Sequence, residues 1–481
     1  MTTVRRVDVA VIGGGTAGMA ARHQAEKCGA STLLIEASQF GTTCARVGCM
    51  PSKLLIAAAE AAHTVRSAGT FGVHVAPEAI QVNGRDVMRR VQQERDRFVG
   101  FVLGSIDRIP DDGKVLSRAR FTGPTTLALD NGTLVEARSV VVATGSRPDV
   151  IPPLRDLGDR LLTTDSVFEM ETLPASIAVV GAGVIGLELG QAFHRLGVRT
   201  TILDASPRLR LARDSAVVDT MHQVLGEELD LRMGIRDLQA QRHGRAVELR
   251  WHASDGQPET AEFEFVLAAT GRRPNVDDLG LEHTGVTLDD RGIPEIDART
   301  LQCGEHPIFL VGDANTRLPL LHEASDEGHV AGQNAAHFPD IRAGRRRVPL
   351  TIVFTDPQLA VVGTTGCDLS HTRHGVGEVS FFNQGRSRTM ARHKGIGRVY
   401  MELDTGTLVG AELFGPAAEH LGHLVAWAVA RRMTVDEALA MPFYHPVIEE
   451  GLRTALRNAA SQLDRRAERV RMDFDCSRPG K

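Results

Sequence analysis

Residues 7–18 read VDVAVIGGGTAG. A short apolar run ends in Gly13, Gly15 and Gly18 at the G-x-G-x-x-G spacing, and the helix-compatible stretch MAARHQAEK follows. A second apolar run, STLLIE, ends in Glu36, 18 residues after Gly18. Strand, glycines, helix, strand and acid in this order predict a βαβ unit that binds a dinucleotide. Gly13 permits the tight turn, Gly15 lets backbone N–H groups approach a pyrophosphate, and Gly18 lets helix pack closely on strand. The helix N-terminus then faces the phosphates. Glu36 is placed to accept hydrogen bonds from a ribose diol.

The pattern returns at 177–186, IAVVGAGVIG, with Gly181, Gly183 and Gly186 at the same spacing. Its acid is Asp204, at the end of TTILD and again 18 residues after the third glycine. The echo extends to VVATGSRPD (141–149) and LAATGRRPN (267–275). The chain therefore carries an internal repeat of two dinucleotide-binding units, and two intact fingerprints imply two nucleotide ligands. A carboxylate at Asp204 favours an unphosphorylated ribose and argues for NAD over NADP. Arg208 and Arg210 nearby weaken that argument little, because they read as solvated loop charges.

Just past the first unit lies GTTCARVGCMPSK, residues 41–53. Cys44 and Cys49 are close enough to form a small intrachain disulfide. Beside a nucleotide fingerprint, such a pair reads as a redox tool rather than a staple. The bland readings are two buried free thiols or half of a zinc site. Zinc needs about four ligands, and the chain has no second close Cys pair, so no metal is expected. The Ala-rich run from Ser52 to Arg66 predicts a helix. It places the cysteines near a helix N-terminus, which stabilises a thiolate.

The rest of the chain supplies a frame. Its 481 residues exceed one domain, and 48 glycines suit an α/β protein rich in tight turns. A net charge of −5 offers no basic field for nucleic acid. No apolar run is long enough to span a bilayer. Arg5 and Arg6 before an apolar run imitate a signal peptide, but that run doubles as the fingerprint strand, so a soluble cytoplasmic protein is expected. Cys28, Cys303, Cys367 and Cys476 are scattered and read as inert thiols. The pattern near 86–109 predicts an amphipathic helix, and 115–145 predicts short strands with turns at Gly123-Pro124 and Asn131-Gly132. Strand-like IFLVG runs into Gly312-Asp313, followed by a helix from about Leu320. Arg342, Arg345, Arg346 and Arg347 read as a solvated linker. From 349 to 465, strand-like runs (PLTIVF, QLAVVG, RVYMEL, TLVGAELFG) and helices suggest an α+β domain that ends near His445, Pro446 and Glu450. The last residues are charged and expected to fray.

These motifs together resemble the pyridine-nucleotide disulfide oxidoreductases, most closely the dihydrolipoamide dehydrogenases. The resemblance implies an FAD-binding domain (1–148), an NAD-binding domain (149–273), a return to the first (274–346), a C-terminal dimerisation domain (347–465) and a tail (466–481). It implies FAD on Gly13, Gly15, Gly18, Glu36 and Asp313, with Thr144 and Gly145 of the first ATG repeat. It places Lys53 beside the flavin, paired with Glu188 of GLELG. NAD falls to Gly181, Gly183, Gly186, Asp204 and Gly271. Cys49 becomes the thiolate facing the flavin, and Cys44 the interchange thiol. His445, before a cis proline, and Glu450 become an acid–base pair supplied by the other subunit of a homodimer. The implied substrate is a lipoyl group, free or on a carrier protein.

Three departures bear on the substrate. Thr42 stands where the family usually has Gly. Arg46 adds a positive charge near the cysteines. FTDPQLAVVG (354–363) resembles mercuric reductases more than typical lipoamide enzymes, yet only Cys476 lies near the C-terminus, where those enzymes carry a pair. The alternatives are therefore an NAD(P)H-dependent reductase of a metal ion, quinone or other disulfide, or a redox-sensing flavoprotein.

Overall fold

The computed structural model describes residues 3–369 and 373–463. Cys476 and the tail lie outside these residues. The described chain forms two compact units. One runs to Leu211 and adds His222–Arg347 and Val353–Thr355; the other holds Ala212–Met221, Val348–Ile352 and the chain from Asp356 onward.

The first unit contains two nucleotide-type sheets. In the first, Val4–Ile12 pairs in parallel with Thr32–Glu36 on one side and Leu134–Val142 on the other; Ile308–Leu310 pairs in parallel with Val140–Val142. Val9, Ala10, Val11 and Ile12 are all buried, because helices and loops cover both faces. Alternation splits them between two cores. Val9 and Val11 join Leu34, Phe309 and the alanines of helix Thr16–Lys27, while Ala10 and Ile12 join Ile35, Phe121 and Leu310. That helix lies tightly on Leu321–His337. A Cβ on Gly328 or Gly332 would strike the carbonyl oxygen of Ala17 or Ala21.

The second sheet repeats the plan in parallel: Ser176–Val180 lies between Arg199–Asp204 and Phe265–Ala268. The two ATG repeats then meet. Ser146–Pro148 pairs antiparallel with Arg272–Pro274, so the sequence echo becomes a short two-stranded ribbon. Sequence reasoning missed a meander of Arg236–His243, Ala246–His252 and Pro258–Phe263. Its first strand is largely exposed and polar, so it lacks the alternation that marks a strand.

The second unit is a five-stranded sheet in the order Leu350–Val353, Gln358–Gly363, Leu408–Gly415, Ile396–Glu402, His374–Ser380. Helices Ala418–Ala430 and Glu449–Ala460 pack on it, the latter so closely that a Cβ on Gly377 would strike the Ala455 carbonyl. His374–Ser380, with two glycines, was also missed. The architecture is α/β, with two Rossmann-like sheets and a C-terminal α+β domain. Among the described residues no helix is long and apolar enough to cross a membrane.

Candidate active site

The two fingerprints have matching geometry. Gly13 and Gly181 adopt φ of 111° and 109°, and a Cβ on either would strike the carbonyl of Ala143 or Ala269. A Cβ on Gly18 or Gly186 would strike the carbonyl of Gly13 or Gly181. Gly15 and Gly183 differ: a Cβ there would meet nothing within 4 Å. Their smallness serves no protein contact and leaves open space at the N-termini of Thr16–Lys27 and Val184–Arg195. The acids match as well. Glu36 Oε2 accepts from Gly14 N–H at 2.8 Å, and Asp204 Oδ2 accepts from Ala182 N–H at 2.7 Å. Each carboxylate is thereby held beside its glycine turn. This open cradle, and the buried Thr144 hydroxyl that has no hydrogen-bond partner among the described residues, fit bound dinucleotides. Gly145 and Gly271 likewise have positive φ and open Cβ positions.

Asp313 sits in a short turn, Gly312–Asn315. Its Oδ2 accepts from Ser146 Oγ at 3.0 Å, and Ser146 Oγ accepts from Arg272 Nε at 2.7 Å. The turn is held from behind by Glu327, whose Oε2 accepts from Gly312 N–H and Asn315 Nδ2, both at 2.7 Å. Glu327 and Glu323 are buried, and Arg346 Nη2 donates to both, at 3.0 and 2.7 Å. The linker reading of Arg346 is thus corrected: two buried carboxylates need a cation, and Arg346 provides it.

Cys44 lies in the short helix Thr43–Arg46, and Cys49 opens the helix Cys49–Ser67. Both are free thiols here, hydrogen-bonded to one another, with Cys49 exposed and Cys44 half-buried. Their acidities diverge. The hydrogen bond from Cys44 pulls the Cys49 pKa down to about 6, assisted by the Lys53 ammonium and a backbone N–H, against burial. The same hydrogen bond, then burial and the Cys49 charge, push Cys44 strongly upward. Cys303 is buried, which raises its pKa to about 12 and keeps it an inert thiol.

Lys53 stands one turn past Cys49. Its Nζ donates to Glu188 Oε2 at 2.6 Å and lies 4.6 Å from the ring centre of Phe354. Glu188 is buried, and its Oε1 accepts from Phe354 N–H at 2.9 Å. Arg46 is anchored by the backbone. Its guanidinium, two residues past Cys44, donates to the Phe40 carbonyl, Nε at 3.0 Å, while the Lys53 ammonium lowers the pKa of both thiols. Thr42 takes φ of 57°, which explains why glycine suits this position, and its Oγ1 accepts from Ala45 N–H at 3.2 Å.

In the second unit, His445 Nδ1 lies 2.9 and 3.0 Å from the two oxygens of Glu450. The His445–Pro446 bond is cis. Val447 N–H donates to Glu450 Oε2 at 3.2 Å. The hydrogen bond from His445 is the main reason the Glu450 carboxyl sits below its ordinary pKa. His445 is 81% exposed. Sequence reasoning missed a second network here. Asp214 accepts from Arg398 Nη1 at 2.6 Å and Tyr400 Oη at 2.9 Å, and fully buried Glu412 accepts from the backbone N–H groups of Arg213 and Asp214.

Comparison with known proteins places this geometry. Residues 7–328 match the family model for pyridine nucleotide-disulphide oxidoreductases, and 349–456 match that family's dimerisation domain. The dihydrolipoyl dehydrogenase of Thermus scotoductus is 31% identical over 465 residues, covering 94% of this chain and 97% of that one. That of Haloferax volcanii is 30% identical over 471 residues, covering 95% and 96%. Among solved structures, LpdA from Mycobacterium tuberculosis aligns with a TM-score of 0.80 at 25% identity, over 94% of this chain and 99% of that one. The HOCl-induced flavoprotein disulfide reductase RclA from Escherichia coli aligns with a TM-score of 0.80 over 94% and 99%, and at 20% identity shows the shared fold. The chain belongs to the pyridine nucleotide-disulphide oxidoreductases, a family of FAD- and NAD(P)-binding flavoproteins, and carries their dimerisation domain.

Proposed function

We propose that this chain oxidises dihydrolipoamide to lipoamide and reduces NAD+, as a homodimer, by disulfide exchange at Cys44 and Cys49. The observation that carries the reading is the pair of free thiols, Cys44 and Cys49, hydrogen-bonded to one another at the start of helix Cys49–Ser67 one turn before Lys53. In this reading Gly13, Gly15, Gly18, Glu36, Thr144, Gly145 and Asp313 hold FAD, with Lys53 and Glu188 at its reactive end. Gly181, Gly183, Gly186, Asp204 and Gly271 hold NAD. FAD, when bound, supplies the two-electron acceptor between the cysteine pair and NAD+. The proposed boundaries are 148/149, 273/274 and 346/347.

The steps belong to the side chains. His445, from the other subunit, takes a proton from one substrate thiol on Nε2, because Glu450 holds Nδ1. The substrate thiolate attacks Sγ of Cys44 in the oxidised pair. A substrate–Cys44 bond forms, the Cys44–Cys49 bond breaks, and the electron pair leaves on Cys49. A leaving thiol of low pKa departs faster, which suits Cys49. The second substrate thiol, deprotonated in turn, attacks its partner sulfur. The cyclic disulfide closes, and Cys44 leaves and takes a proton.

Thr42 and Arg46 beside Cys44 favour a second reading, reduction of a different disulfide or acceptor by NAD(P)H. Alkylation separates the two. Dihydrolipoamide added anaerobically to the FAD-loaded protein should make Cys44 and Cys49 newly alkylatable, as mapped by mass spectrometry. NADH-induced labelling with none from dihydrolipoamide would favour the second reading.

A further inference from the structure

Between Glu378 and Glu402 the chain contains no acidic residue, yet it carries Arg386, Arg388, Arg392, His393, Lys394 and Arg398, in a protein of net charge −5. Arg398 is taken by Asp214. Arg386, Arg388, Arg392 and Lys394 are exposed. Among the described residues, the first three form no ion pair. Arg388 instead lies over the exposed ring of Phe382, 5.9 Å from its centre. Solvated cations are ordinary on a surface. A run of unpaired ones tied to a catalytic-type pair is less so.

The tie is direct. Gln384 is buried, and its Nε2 donates to the Val447 carbonyl at 2.8 Å. Val447 in turn donates to Glu450, which holds His445. Gln384 Oε1 accepts from Ser387 N–H and Oγ at 2.7 and 2.9 Å, which fixes the turn carrying Arg386 and Arg388. A Cβ on Gly451 would lie 3.1 Å from the Phe381 ring and 3.5 Å from Gln384, so this segment is packed on the first turn of helix Glu449–Ala460. The basic ledge and the His445 loop are one packed piece of the second unit.

Free dihydrolipoamide carries no charge for these side chains to meet. A partner that brings carboxylates to His445 along with the dithiol does. We infer that the ledge Arg386–Arg388–Arg392 docks the acidic surface of a protein that carries the dihydrolipoyl group. The inference rests on the proposed function and adds the partner's chemistry. Opposed charges at such a rim act mainly on the association rate and fade with salt.

The test uses the intact FAD-loaded protein with two substrates. One is free dihydrolipoamide; the other is an isolated lipoylated carrier domain of net negative charge. In the variant Arg386→Glu/Arg388→Glu/Arg392→Glu, kcat/KM for the carrier domain should fall about tenfold or more at low salt. With free dihydrolipoamide it should stay within about twofold, since an uncharged substrate is not steered. The triple Gln variant should fall between. Raising salt to about 0.5 M should erase the difference between wild type and variant on the carrier. An unchanged carrier-to-free ratio would overturn the inference alone. Dissociation of the dimer in the Gln variant, read by light scattering, would place the ledge in the subunit interface and overturn it too. Failure of wild type to turn over either substrate would overturn the proposed function, and the inference with it.

Discussion

Lys53 and Glu188 are 135 residues apart in the chain and 2.6 Å apart in the structure. The pair joins the helix that begins at Cys49 to the helix of the second fingerprint. It also sets two opposing charges near one thiol. Lys53 lowers the Cys49 pKa and Glu188 raises it. In the reduced protein, thiolate absorbance should therefore titrate with a midpoint of about 6. Lys53→Gln should raise that midpoint, and Glu188→Gln should lower it. A midpoint that neither substitution moves would remove Lys53 from the site's electrostatics.

The sign for stability follows from the same shift. Cys49 is more acidic folded, about 6, than its ordinary 9.0. Its ionisation therefore adds stability that is complete above the unfolded value and lost as pH falls through about 6. Denaturant midpoints of the reduced protein should rise between those limits more than in Cys49→Ser. Equal slopes for the two proteins would contradict the shift.

Arg346 should be costly to remove. Arg346→Met leaves Glu323 and Glu327 buried without a cation, and breaking such a pair costs about 3 kcal/mol. Because Glu327 also holds Gly312 and Asn315 around Asp313, the variant should retain less flavin on dialysis. Wild-type stability and flavin content together would show that the contact carries little.

Thr42 combines a strained φ with a helix cap. Thr42→Val keeps the strain and loses the cap, and should destabilise by about 1 kcal/mol. Thr42→Gly loses both and should be close to neutral, because left-handed backbone costs a non-glycine residue about 1 kcal/mol or more. Denaturant unfolding of the two variants compares them; equal losses would mean that the backbone there is unstrained.

His445 and Glu450 should separate the two half-reactions. His445→Gln should lower dithiol turnover by about 10²–10⁴, the usual worth of a positioned base. Glu450→Gln should lower it less, since it orients rather than transfers. Flavin reduction by NADH should survive in both. Stopped-flow measurement of each half-reaction decides, and a parallel loss in both halves would mean structural damage.

The fingerprints were legible because backbone demand is local. A positive φ at Gly13 and the near-collision at Gly18 require glycine whatever the rest of the fold does. The Cys44–Cys49 pair was legible through spacing and the His445–Glu450 pair through the family resemblance, and the structure brings each pair together within its own unit. What escaped depends on distant partners. Arg346 reads as solvated until Glu323 and Glu327 are buried beneath it. The anchoring of the Arg46 guanidinium on the Phe40 carbonyl likewise leaves no mark in the sequence. The Asp214–Arg398 pair spans 184 residues and has no local pattern. The 236–263 meander escaped in part for the opposite reason: its first strand, Arg236–His243, is polar and largely exposed, whereas Ala246–His252 does alternate, with Val247, Leu249 and Trp251 buried, and its period went unread.

The most direct test is NAD+ reduction by free dihydrolipoamide, followed at 340 nm with purified protein whose visible spectrum shows bound FAD. Sustained turnover is expected, abolished by Cys44→Ser and by Cys49→Ser while FAD stays bound. Absence of turnover, with the flavin still reduced by NADH, would contradict the substrate and leave the family and the fold in place.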